Sequence, residues 1–330
     1  MNLIVISLFD GLSGGRLALK DTNLNVLRYY SSEIDKYAIQ IADKNFPEDT
    51  PYRLGDVTKI NTNLILDEIR KDFKDVEYKI LLIGGSPCQG FSMAGKLKGS
   101  STKDGVMVDT LDMYLNLKEK GFEFDGQSFL FWEFIRIKEE INPDFWFLEN
   151  VRITKKWLPM FNETLNTEPL IINSSLMSAQ NRVRFYWHNF GEIQQPEDMG
   201  ITVKDILDSD YVLDEEFNYY KIKPSVLNNL KEQLQYLNPS KSGFAQLKCS
   251  SGFQDNKIGI TKTPTLRAGN PCCYVQAGKT YFKQISPLEA ERLQTLPDNY
   301  TYGVSNSQRY RMVGNGWTIR VISYIFNHIK

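Results

Sequence analysis

The sequence predicts an α/β fold: a mostly parallel sheet with helices on both faces, joined to a smaller, irregular domain. Over residues 1–189, short apolar runs alternate with segments of helical periodicity, which is typical of successive βα units. The run Ile80–Ile83 is apolar at every position, as expected of a strand that helices cover on both faces. The predicted strands are Leu3–Phe9, Val26–Ser32, Lys79–Ile83, Asp144–Leu148, Glu168–Ser174 and Val183–His188.

Helices are predicted between the strands and near the C-terminus. Ser286 and Glu289 have the spacing of a capping box, and Pro287 stands at the first helical position, so a helix is expected to begin there. The other helices are predicted from apolar residues at helical spacing. They are Ile34–Ala42, Leu111–Lys120, Leu130–Ile141, Ser225–Leu237 and Trp317–Ile329.

The composition excludes several classes of protein. With 42% apolar and 24% charged residues among 330, the chain is expected to be globular and to bury a sizeable core. The 39 Lys and Arg residues balance 40 Asp and Glu, which argues against a protein that coats a polyanion but allows a local basic cleft. No apolar run is long enough to span a membrane. The four cysteines lack C-x-x-C spacing, so neither a zinc site nor a disulfide framework is predicted, and a reducing interior is expected.

Residues 190–285 differ from the rest of the chain. They are richer in Asn, Gln, Ser, Gly and Lys and lack a clear periodicity. We therefore predict two domains. One contains the sheet and is built from residues 1–189 and 286–330, and the other is the loop-rich segment of residues 190–285.

A loop with several glycines, Ser7–Gly15, follows the first predicted strand and opens a helix. Glycines at such a turn let a ligand approach the backbone, although a plain strand–helix turn is an equally good interpretation. Glu33 ends the second strand, where a carboxylate can bind ribose hydroxyls, and Asp56 is expected at the end of a further strand. With Phe9 placed to stack on a purine, these features favour a cofactor that contains adenosine.

Cys88 lies in the segment Gly84–Ser92, which follows another apolar strand. Pro87 precedes it, so the thiol is expected to be held at the carboxyl edge of the sheet, where open α/β folds bind ligands. The thiolate is the nucleophilic form of cysteine. A buried structural thiol is the alternative interpretation. The Gly-Gly turn followed by proline favours a catalytic role over it.

Glu149 ends a further predicted strand on the same sheet edge, where a carboxyl group can act as a proton donor. Taken alone, it could equally form a salt bridge or begin a helix. Arg182 and Arg184 alternate along the last predicted strand and so share one face of it. They are either a surface basic pair, or one of them pairs with Glu149 or with a substrate carbonyl.

Taken together and in this order, the motifs resemble those of the DNA cytosine-C5 methyltransferase family, in particular bacterial and phage modification enzymes. The chain departs from the family pattern at Asp10, where a small residue is common, and at Ser86, where an aromatic residue or proline is frequent. The segment between Cys88 and Phe129 is also long. The matching motifs are Phe9-Asp10-Gly11 with Gly14, Pro87-Cys88-Gln89, Glu149-Asn150-Val151, Gln180-x-Arg182-x-Arg184, Ser286–Tyr300, Ser307–Tyr310 and Gly314-Asn315.

The resemblance implies a Rossmann-like, S-adenosylmethionine-dependent methyltransferase sheet with a target-recognition domain in residues 190–285. It implies methyl transfer to C5 of a cytosine flipped out of a specific duplex DNA sequence, without a metal. Cys88, held by Pro87, would add to C6 of the base. Glu149 would bind N3, and Arg184 would contact O2 and orient Glu149. Arg182 would be a supporting residue or a phosphate contact.

The resemblance also implies a cofactor site and DNA contacts. Purine would stack near Phe9, ribose would bind Glu33, adenine N6 would bind Asp56, and Asn315 would approach the methionine end. The full predicted cofactor set is Phe9, Asp10, Gly11, Leu12, Gly14, Glu33, Ile34, Asp56, Val57, Pro87, Leu130 and Asn315. The predicted DNA contacts are Gln89, Ser92, Lys96, Gln254, Lys257, Arg267, Gly269 and Asn270, and Lys262 is also expected to touch phosphate.

Two alternatives remain open at this point: a cytosine-C5 methyltransferase that acts on tRNA, and a DNA-binding homologue without catalytic activity. The segment Gly90–Gly105, with three lysines and several small residues, is predicted to be a mobile loop that closes over the DNA backbone. We expect a monomer in the cytoplasm of a bacterium or of a phage-infected host. A cognate restriction endonuclease, if there is one, would act separately.

Overall fold

A six-stranded sheet organises the N-terminal part of the protein. In the computed structural model, which describes residues 1–87, 90–91, 99–208, 261–268 and 285–330 together with four short strands, all six predicted strands are present, with ends shifted by a few residues. They are β1 (Asn2–Leu8), β2 (Asn25–Ser32), β3 (Lys79–Gly84), β4 (Phe145–Val151), β5 (Leu170–Asn173) and β6 (Val183–His188).

The strand order is β2-β1-β3-β4-β6-β5. The first four of these strands are parallel, with Leu8 paired to both Ser32 and Gly84, and Gly84 paired in turn to Leu148. Strand β6 runs antiparallel to β4. Strand β1 is buried along almost its whole length, because helices cover both faces of the sheet. The predicted α/β fold with a mostly parallel sheet is therefore confirmed.

The helices connect these strands and return at the C-terminus. Asp35 caps the second helix by accepting hydrogen bonds from the N–H groups of Tyr37 and Ala38, and the predicted capping box of Ser286 and Glu289 is present. The helices are α1 (Gly14–Lys20), α2 (Lys36–Asn45), α3 (Thr62–Asp72), α4 (Leu111–Glu119), α5 (Leu130–Ile141), α6 (Leu158–Leu165), α7 (Pro287–Leu293), α8 (Asn306–Asn315) and α9 (Ile319–Phe326). The predicted helix at 225–237 lies outside the described residues.

The strand expected to end at Asp56 does not form. Instead, Arg53 makes a single parallel bridge to Ser31, and the chain continues into a short 3-10 helix, Val57–Lys59, whose N-cap is Asp56. One bridge is too little to define a strand. The prediction of a strand at this point was wrong, although the loop does run along the end of β2.

The core beside the sheet is aromatic. Helix α5 is buried along most of its length, and its Phe131 packs on Phe161 with 4.1 Å between ring centroids. Phe91 contacts both rings and Trp157 edge to face. Burying each side chain of this size contributes on the order of 2–3 kcal/mol. This cluster fixes α5 and α6 against the strands whose ends carry the candidate site.

The chain packs as two compact units. The first consists of Met1–Ile172, Val183–Gln195 and Ser323–Lys330, and the second of Asn173–Arg182 and Pro196–Ile322. These units differ from the predicted domains, because residues 286–322 pack with the second unit. The functional division into a catalytic and a recognition domain stays a prediction.

The described part of the second unit contains a four-stranded antiparallel sheet. Its strands are β7 (Ser242–Ala245), β8 (Ile258–Gly259), β9 (Cys273–Gln276) and β10 (Phe282–Gln284). They pair in the order β10-β9-β7-β8.

In the described part of the chain, no helix is both long enough and apolar enough to cross a membrane.

Candidate active site

The loop after β1 has an unusual backbone. Phe9 and Ser13 are not glycines, yet their φ angles are 58° and 60°, and Gly11 between them also has a φ of 58°. The left-handed region is costly for a residue with a Cβ, and it persists where the surrounding structure enforces it, often at binding sites. This loop is therefore a candidate ligand-binding segment at the carboxyl end of β1.

Asp10 holds the loop in this conformation. Its buried carboxylate accepts hydrogen bonds from the hydroxyls of Ser7 at 2.7 Å, Ser13 at 2.6 Å and Tyr29 at 2.6 Å, and Arg53 lies 3.6 Å away. Burial raises the pKa of Asp10, although the three hydroxyls and Arg53 act in the opposite direction. The carboxylate is thus engaged inside the protein, so a ligand of this loop would meet the backbone of Asp10.

Glu33 connects the end of β2 to the same loop. One carboxylate oxygen accepts a hydrogen bond from the Gly11 N–H at 2.8 Å, and the other accepts from the N–H groups of Ile34 and Asp35 at 2.7 and 2.8 Å. The neighbouring Ile34 side chain is 72% exposed. A carboxylate beside an exposed apolar side chain suits a ligand with hydroxyls at one end and a flat ring at the other.

Asp56 lies close to the end of β2. The Ser32 hydroxyl donates to the Gly55 carbonyl at 2.7 Å, which holds this segment against the strand. The Asp56 carboxylate accepts from the N–H and the hydroxyl of Thr58 at 2.9 and 2.8 Å, while the side chain of Val57 is buried. The structure therefore brings the predicted cofactor residues Phe9, Gly11, Glu33, Ile34, Asp56 and Val57 to neighbouring segments at the carboxyl ends of β1 and β2.

Three other predicted cofactor residues of the first unit are buried or partly buried. Leu12 is 3% exposed and Gly14, the first residue of α1, is also buried. Leu130, the first residue of α5, is partly buried and packs against the apolar core.

The end of β3 leads into the cysteine segment. Gly84 fits tightly there, because a Cβ on it would lie 2.9 Å from the ring of Phe134. Ser86 follows and is buried, and Asn150 at the end of β4 donates from its side-chain amide to the Ser86 carbonyl at 3.3 Å. Pro87 is described and partly buried, whereas Cys88 lies outside the described residues.

Glu149 and Arg184 form an ion pair on the adjacent strands β4 and β6. The Nε of Arg184 lies 3.0 Å from a carboxylate oxygen of Glu149, and the two side chains are 12% and 11% exposed. Among the described residues this Nε, although buried, makes no aligned hydrogen bond. Because β3 and β4 are parallel neighbours, the pair stands at the edge where Ser86-Pro87 leaves the sheet. The arrangement presents a carboxyl group and a guanidinium side by side.

The segment predicted to be a mobile loop is packed over part of its length. The N–H of Gly99 donates to the Gly90 carbonyl at 2.9 Å, and a Cβ on Gly99 would lie 2.4 Å from the indole ring of Trp157. Residues 100–102 are buried, and the ammonium of Lys103 contacts Glu123. In this structure residues 99–102 are thus packed against the protein, and the prediction of a mobile loop that closes over DNA stays a prediction. Residues 92–98, with Ser92 and Lys96, lie outside the described residues.

In the second unit, Gln180 and Arg182 hold backbone segments in place. The buried Gln180 accepts from the Leu266 N–H at 2.7 Å, and the 3% exposed Arg182 donates to the Leu266 carbonyl at 3.0 Å. Arg182 also donates to the carbonyls of Gly314 at 3.3 Å and Gly316 at 2.9 Å. These hydrogen bonds fit the supporting role among the two predicted for Arg182, because the guanidinium is committed to carbonyl groups.

The residues next to these anchors carry other predicted contacts. Asn315, between the two glycines, and Arg267, next to Leu266, are both exposed. Gly314 packs so closely on this segment that a Cβ would lie 2.4 Å from the Ala268 nitrogen. Lys262 differs from the prediction of a phosphate contact, because its ammonium donates to the carbonyls of three residues of the second unit. These are Ser175, Ser178 and Ile201.

Besides Ser92 and Lys96, six DNA contacts were predicted, and the structure describes one of them. Arg267 is described, and the others, Gln89, Gln254, Lys257, Gly269 and Asn270, lie outside the described residues. Two buried amides, those of Asn150 and Gln180, were not among the predicted site residues. Both lie inside the matching motifs, and that position in the sequence could have identified them. A buried amide needs hydrogen-bond partners, so each was a candidate to hold neighbouring segments in place.

The chain shares its features with known proteins along its whole length. Residues 3–330 match the family described as C-5 cytosine-specific DNA methylase. The chain is 28% identical to the type II methyltransferase M.HhaI of Haemophilus parahaemolyticus, over 98% of this chain and 93% of that protein. It is also 28% identical to the type II methyltransferase M1.ScrFI of Lactococcus lactis subsp. cremoris, over 97% of this chain and 76% of that protein.

Solved structures agree with the fold. The Entamoeba histolytica methyltransferase EhMeth matches with a TM-score of 0.60 and 17% identity, over 100% of this chain and 98% of that one, which supports the fold alone. The mixed α/β fold with its six-stranded sheet is thus structurally similar to DNA methyltransferases and consistent with a methyltransferase fold. With the match over residues 3–330, the chain belongs to the C-5 cytosine-specific DNA methylase family and is a DNA cytosine methyltransferase.

Proposed function

We propose that this chain transfers a methyl group from S-adenosylmethionine to C5 of a cytosine flipped out of a specific duplex DNA sequence, through a covalent bond between Cys88 and C6. The observation that carries the proposal is the buried ion pair of Glu149 and Arg184 at the sheet edge where Ser86-Pro87 leads towards Cys88. A carboxyl group oriented by a guanidinium beside a nucleophile is what attack on a cytosine ring requires.

The chemistry follows from the weak nucleophilicity of C5. The Cys88 thiolate adds to C6 and forms the S–C6 bond, while Glu149 hydrogen-bonds to or protonates N3 and so accepts the charge that develops in the ring. C5 then has enamine character and would bond to the methyl carbon as the bond from that carbon to the sulfonium sulfur breaks, with S-adenosylhomocysteine as the leaving group. Loss of the C5 proton and cleavage of the S–C6 bond restore the aromatic ring and the thiolate. Arg184 would orient Glu149 and donate to O2 of the base.

S-adenosylmethionine would supply the methyl group as an electrophilic sulfonium substituent. The described residues fit its adenosine part. Glu33 offers a carboxylate to the ribose hydroxyls, the exposed Ile34 offers an apolar face to the purine, and Asp56 offers an acceptor to the adenine amine. Phe9 would stack on the purine, and Asn315, which is exposed, would bind the methionine end.

The DNA substrate requires that the target base leave the helical stack. Flipping costs a few kcal/mol, which contacts in the base pocket offset. Residues 190–285 would recognise the target sequence, and the exposed Arg267 suits a phosphate contact, whereas Lys262 does not because backbone carbonyls bind its ammonium. The type II names of the relatives support a place beside a restriction endonuclease that acts separately, in the bacterial cytoplasm.

The covalent step can be tested with duplex DNA that carries 5-fluorocytosine at the target site. Fluorine at C5 cannot leave as a proton does, so the protein is expected to stay bonded to C6 after methyl transfer. We expect the wild-type protein to form an adduct that survives denaturing electrophoresis, and Cys88→Ser to form none. Cys249→Ser is the matched control and should form the adduct. An adduct with Cys88→Ser would show that the nucleophile is another residue.

The substrate can be tested by transfer of tritiated methyl groups into duplex DNA and into tRNA under the same conditions. We expect label in DNA. Preferential labelling of tRNA would favour the RNA-directed alternative, and no labelling of either by a cofactor-binding protein would favour a DNA-binding homologue without activity. Bisulfite sequencing of DNA from cells that express the protein would then identify the methylated sequence.

A further inference from the structure

The long segment between Gly99 and Phe129 folds against the first unit. Short backbone pairings join Ser101 to Met107 and Thr102 to Phe124. Helix α4 lies between Met107 and Phe124 in the chain. Val108 and the α4 residue Tyr114 are buried. The segment is therefore a built part of the fold, and α4 has a defined packing surface.

An aromatic group attaches α4 to the start of α5. The ring of Tyr114 lies 5.0 Å from that of Phe124 and 6.2 Å from that of Phe129, measured between centroids, and the latter two rings stack at 4.9 Å. Such ring contacts stabilise the packing beyond the area that they bury. The polar end of Tyr114 points towards α5.

Glu133 on α5 has a fully buried carboxylate that accepts hydrogen bonds from side chains of both helices. One oxygen accepts hydrogen bonds from the Tyr114 hydroxyl and the Lys118 ammonium, and the other accepts from Nε of Arg136 at 2.8 Å. Burial, followed by the hydrogen bond to Glu133, raises the pKa of Tyr114, so the hydroxyl stays protonated and donates. A buried charge is tolerable only with such partners.

The two cations on Glu133 also reach the loop that carries Asp56. The Lys118 ammonium donates to the Thr58 carbonyl at 3.2 Å, and Arg136 donates to the carbonyls of Val57 at 3.2 Å and of Ile60 at 3.4 Å. Thr58 is in turn the residue whose N–H and hydroxyl hold the Asp56 carboxylate. A chain of polar contacts therefore runs from α4 through Glu133 to the loop.

We infer that helix α4 braces the adenine end of the cofactor site, with Lys118 and Tyr114 as positioning residues that fix the Asp56 loop through Glu133. The inference rests on the proposed function, since it takes an adenosine-containing cofactor as the ligand of that loop. Neither residue would touch the cofactor. Each acts by setting where the loop carbonyls lie, so its loss weakens cofactor binding and leaves the chemical step unchanged.

The test is calorimetric titration of the cofactor-free full chain with S-adenosylmethionine and with S-adenosylhomocysteine. Lys118→Met removes the ammonium at nearly constant length, and we expect about tenfold weaker binding of both compounds. Tyr114→Phe keeps the ring and should weaken binding about threefold. Lys118→Arg keeps the charge and should restore most of the affinity. Hydrogen exchange of the amides of residues 56–60 should speed up in Lys118→Met without any ligand.

Lys79→Met is the matched control, because Lys79 pairs with Asp144 in an exposed ion pair with no contact to this loop. It should bind both compounds like the wild type. The brace also predicts that KM for the cofactor rises in Lys118→Met while kcat at saturating cofactor and KM for DNA change less than twofold.

Two results with Lys118→Met would overturn the inference. Lys118→Met could bind both compounds as tightly as the wild type with unchanged exchange, or it could change kcat and both KM values together, as a general loss of stability does. If Lys118→Met did not fold, Tyr114→Phe would be measured instead. Wild-type binding with unchanged exchange, or a joint change of kcat and both KM values, would then overturn the inference. If the wild-type chain bound neither compound, the proposed function would fail along with the inference.

Discussion

Two arginines of one motif are used in different ways by the two units of the protein. In the second unit, Arg182 is 3% exposed and donates to the carbonyls of Leu266, Gly314 and Gly316. In the first unit, Arg184 pairs with Glu149, and its buried Nε makes no aligned hydrogen bond within the described part of the chain. A guanidinium bound to several backbone carbonyls stabilises the fold, whereas one paired with a carboxylate at the sheet edge can orient that carboxylate.

The largest effect is expected at Arg184. Arg184→Lys keeps a positive charge beside Glu149 but removes the planar set of donors, which a lysine cannot replace. We expect kcat/KM for methyl transfer to fall by about 100-fold or more, the usual cost of removing a preorganised donor. The melting temperature should change little. The comparison would fail if this variant lost stability and kept its activity.

The next effect is expected at Arg182, and on stability. Arg182→Met removes the donor to the buried carbonyls of Leu266 and Gly314, which should lower the free energy of unfolding by roughly 3 kcal/mol. Urea denaturation of the full chain measures this change. Arg182→Lys should lose less, because an ammonium can still reach some of the carbonyls. A fully stable Arg182→Met protein with strongly reduced activity would assign Arg182 to the chemistry instead.

A smaller effect on stability is expected at Gly314. In Gly314→Ala, the new Cβ would lie 2.4 Å from the Ala268 nitrogen and from the Arg267 carbonyl carbon, and these backbone atoms must move. We expect a loss of about 1–3 kcal/mol, as for other overpacked sites. The exposed neighbour provides a stability control, since Asn315→Ala should unfold like the wild type. Equal stability of all three proteins would mean that this contact contributes nothing.

The smallest effect is expected at His188, which lies on the same strand as Arg184 but at its other end. Burial, and then the nearby His328, lower the pKa of His188 from 6.5 to about 4. The unfolded chain therefore takes up a proton between these pH values that the folded chain does not, so stability falls as the pH drops from 6.5 towards 4.

His188→Gln should lose less of its melting temperature than the wild type between pH 7 and pH 5, because the variant has no group at this position to protonate on unfolding. Differential scanning calorimetry at the two pH values measures the difference. Methyl transfer at neutral pH should be unchanged. Identical pH dependence of the two proteins would mean that His188 does not titrate differently in the folded and unfolded states.

Local sequence patterns were sufficient to predict the strands and helices that define the fold. The strand β3 was found because its run Ile80–Ile83 is apolar at every position, and α7 because Ser286, Pro287 and Glu289 form its cap. The segment before Asp56 has no such pattern. It was expected to be a strand by analogy with its neighbours, and it makes only a single bridge to β2. Long-range pairing decided the outcome there.

The site could be predicted as a set of residues, but their individual uses could not. Glu33, Ile34 and Asp56 do lie at neighbouring strand ends, as their sequence positions suggested. Asp10 is different, because three hydroxyls converge on its carboxylate only in the folded loop. Lys262 was predicted to touch phosphate, and Lys103 was counted among the lysines of a loop that closes over DNA, both by their charge alone. Their partners, backbone carbonyls and Glu123, come from elsewhere in the chain.

The sequence by itself determined the strands, most helices, the order of the motifs and hence the family, because these depend on residue type and short-range spacing. The tertiary structure decided which of two like residues binds backbone carbonyls and which pairs with a carboxylate. It separated Arg182 from Arg184, turned Asp10 inward, and joined Lys118 through Glu133 to the loop of Asp56. The physical reason is that burial makes each polar group find a partner, and which partner it meets depends on how distant segments pack.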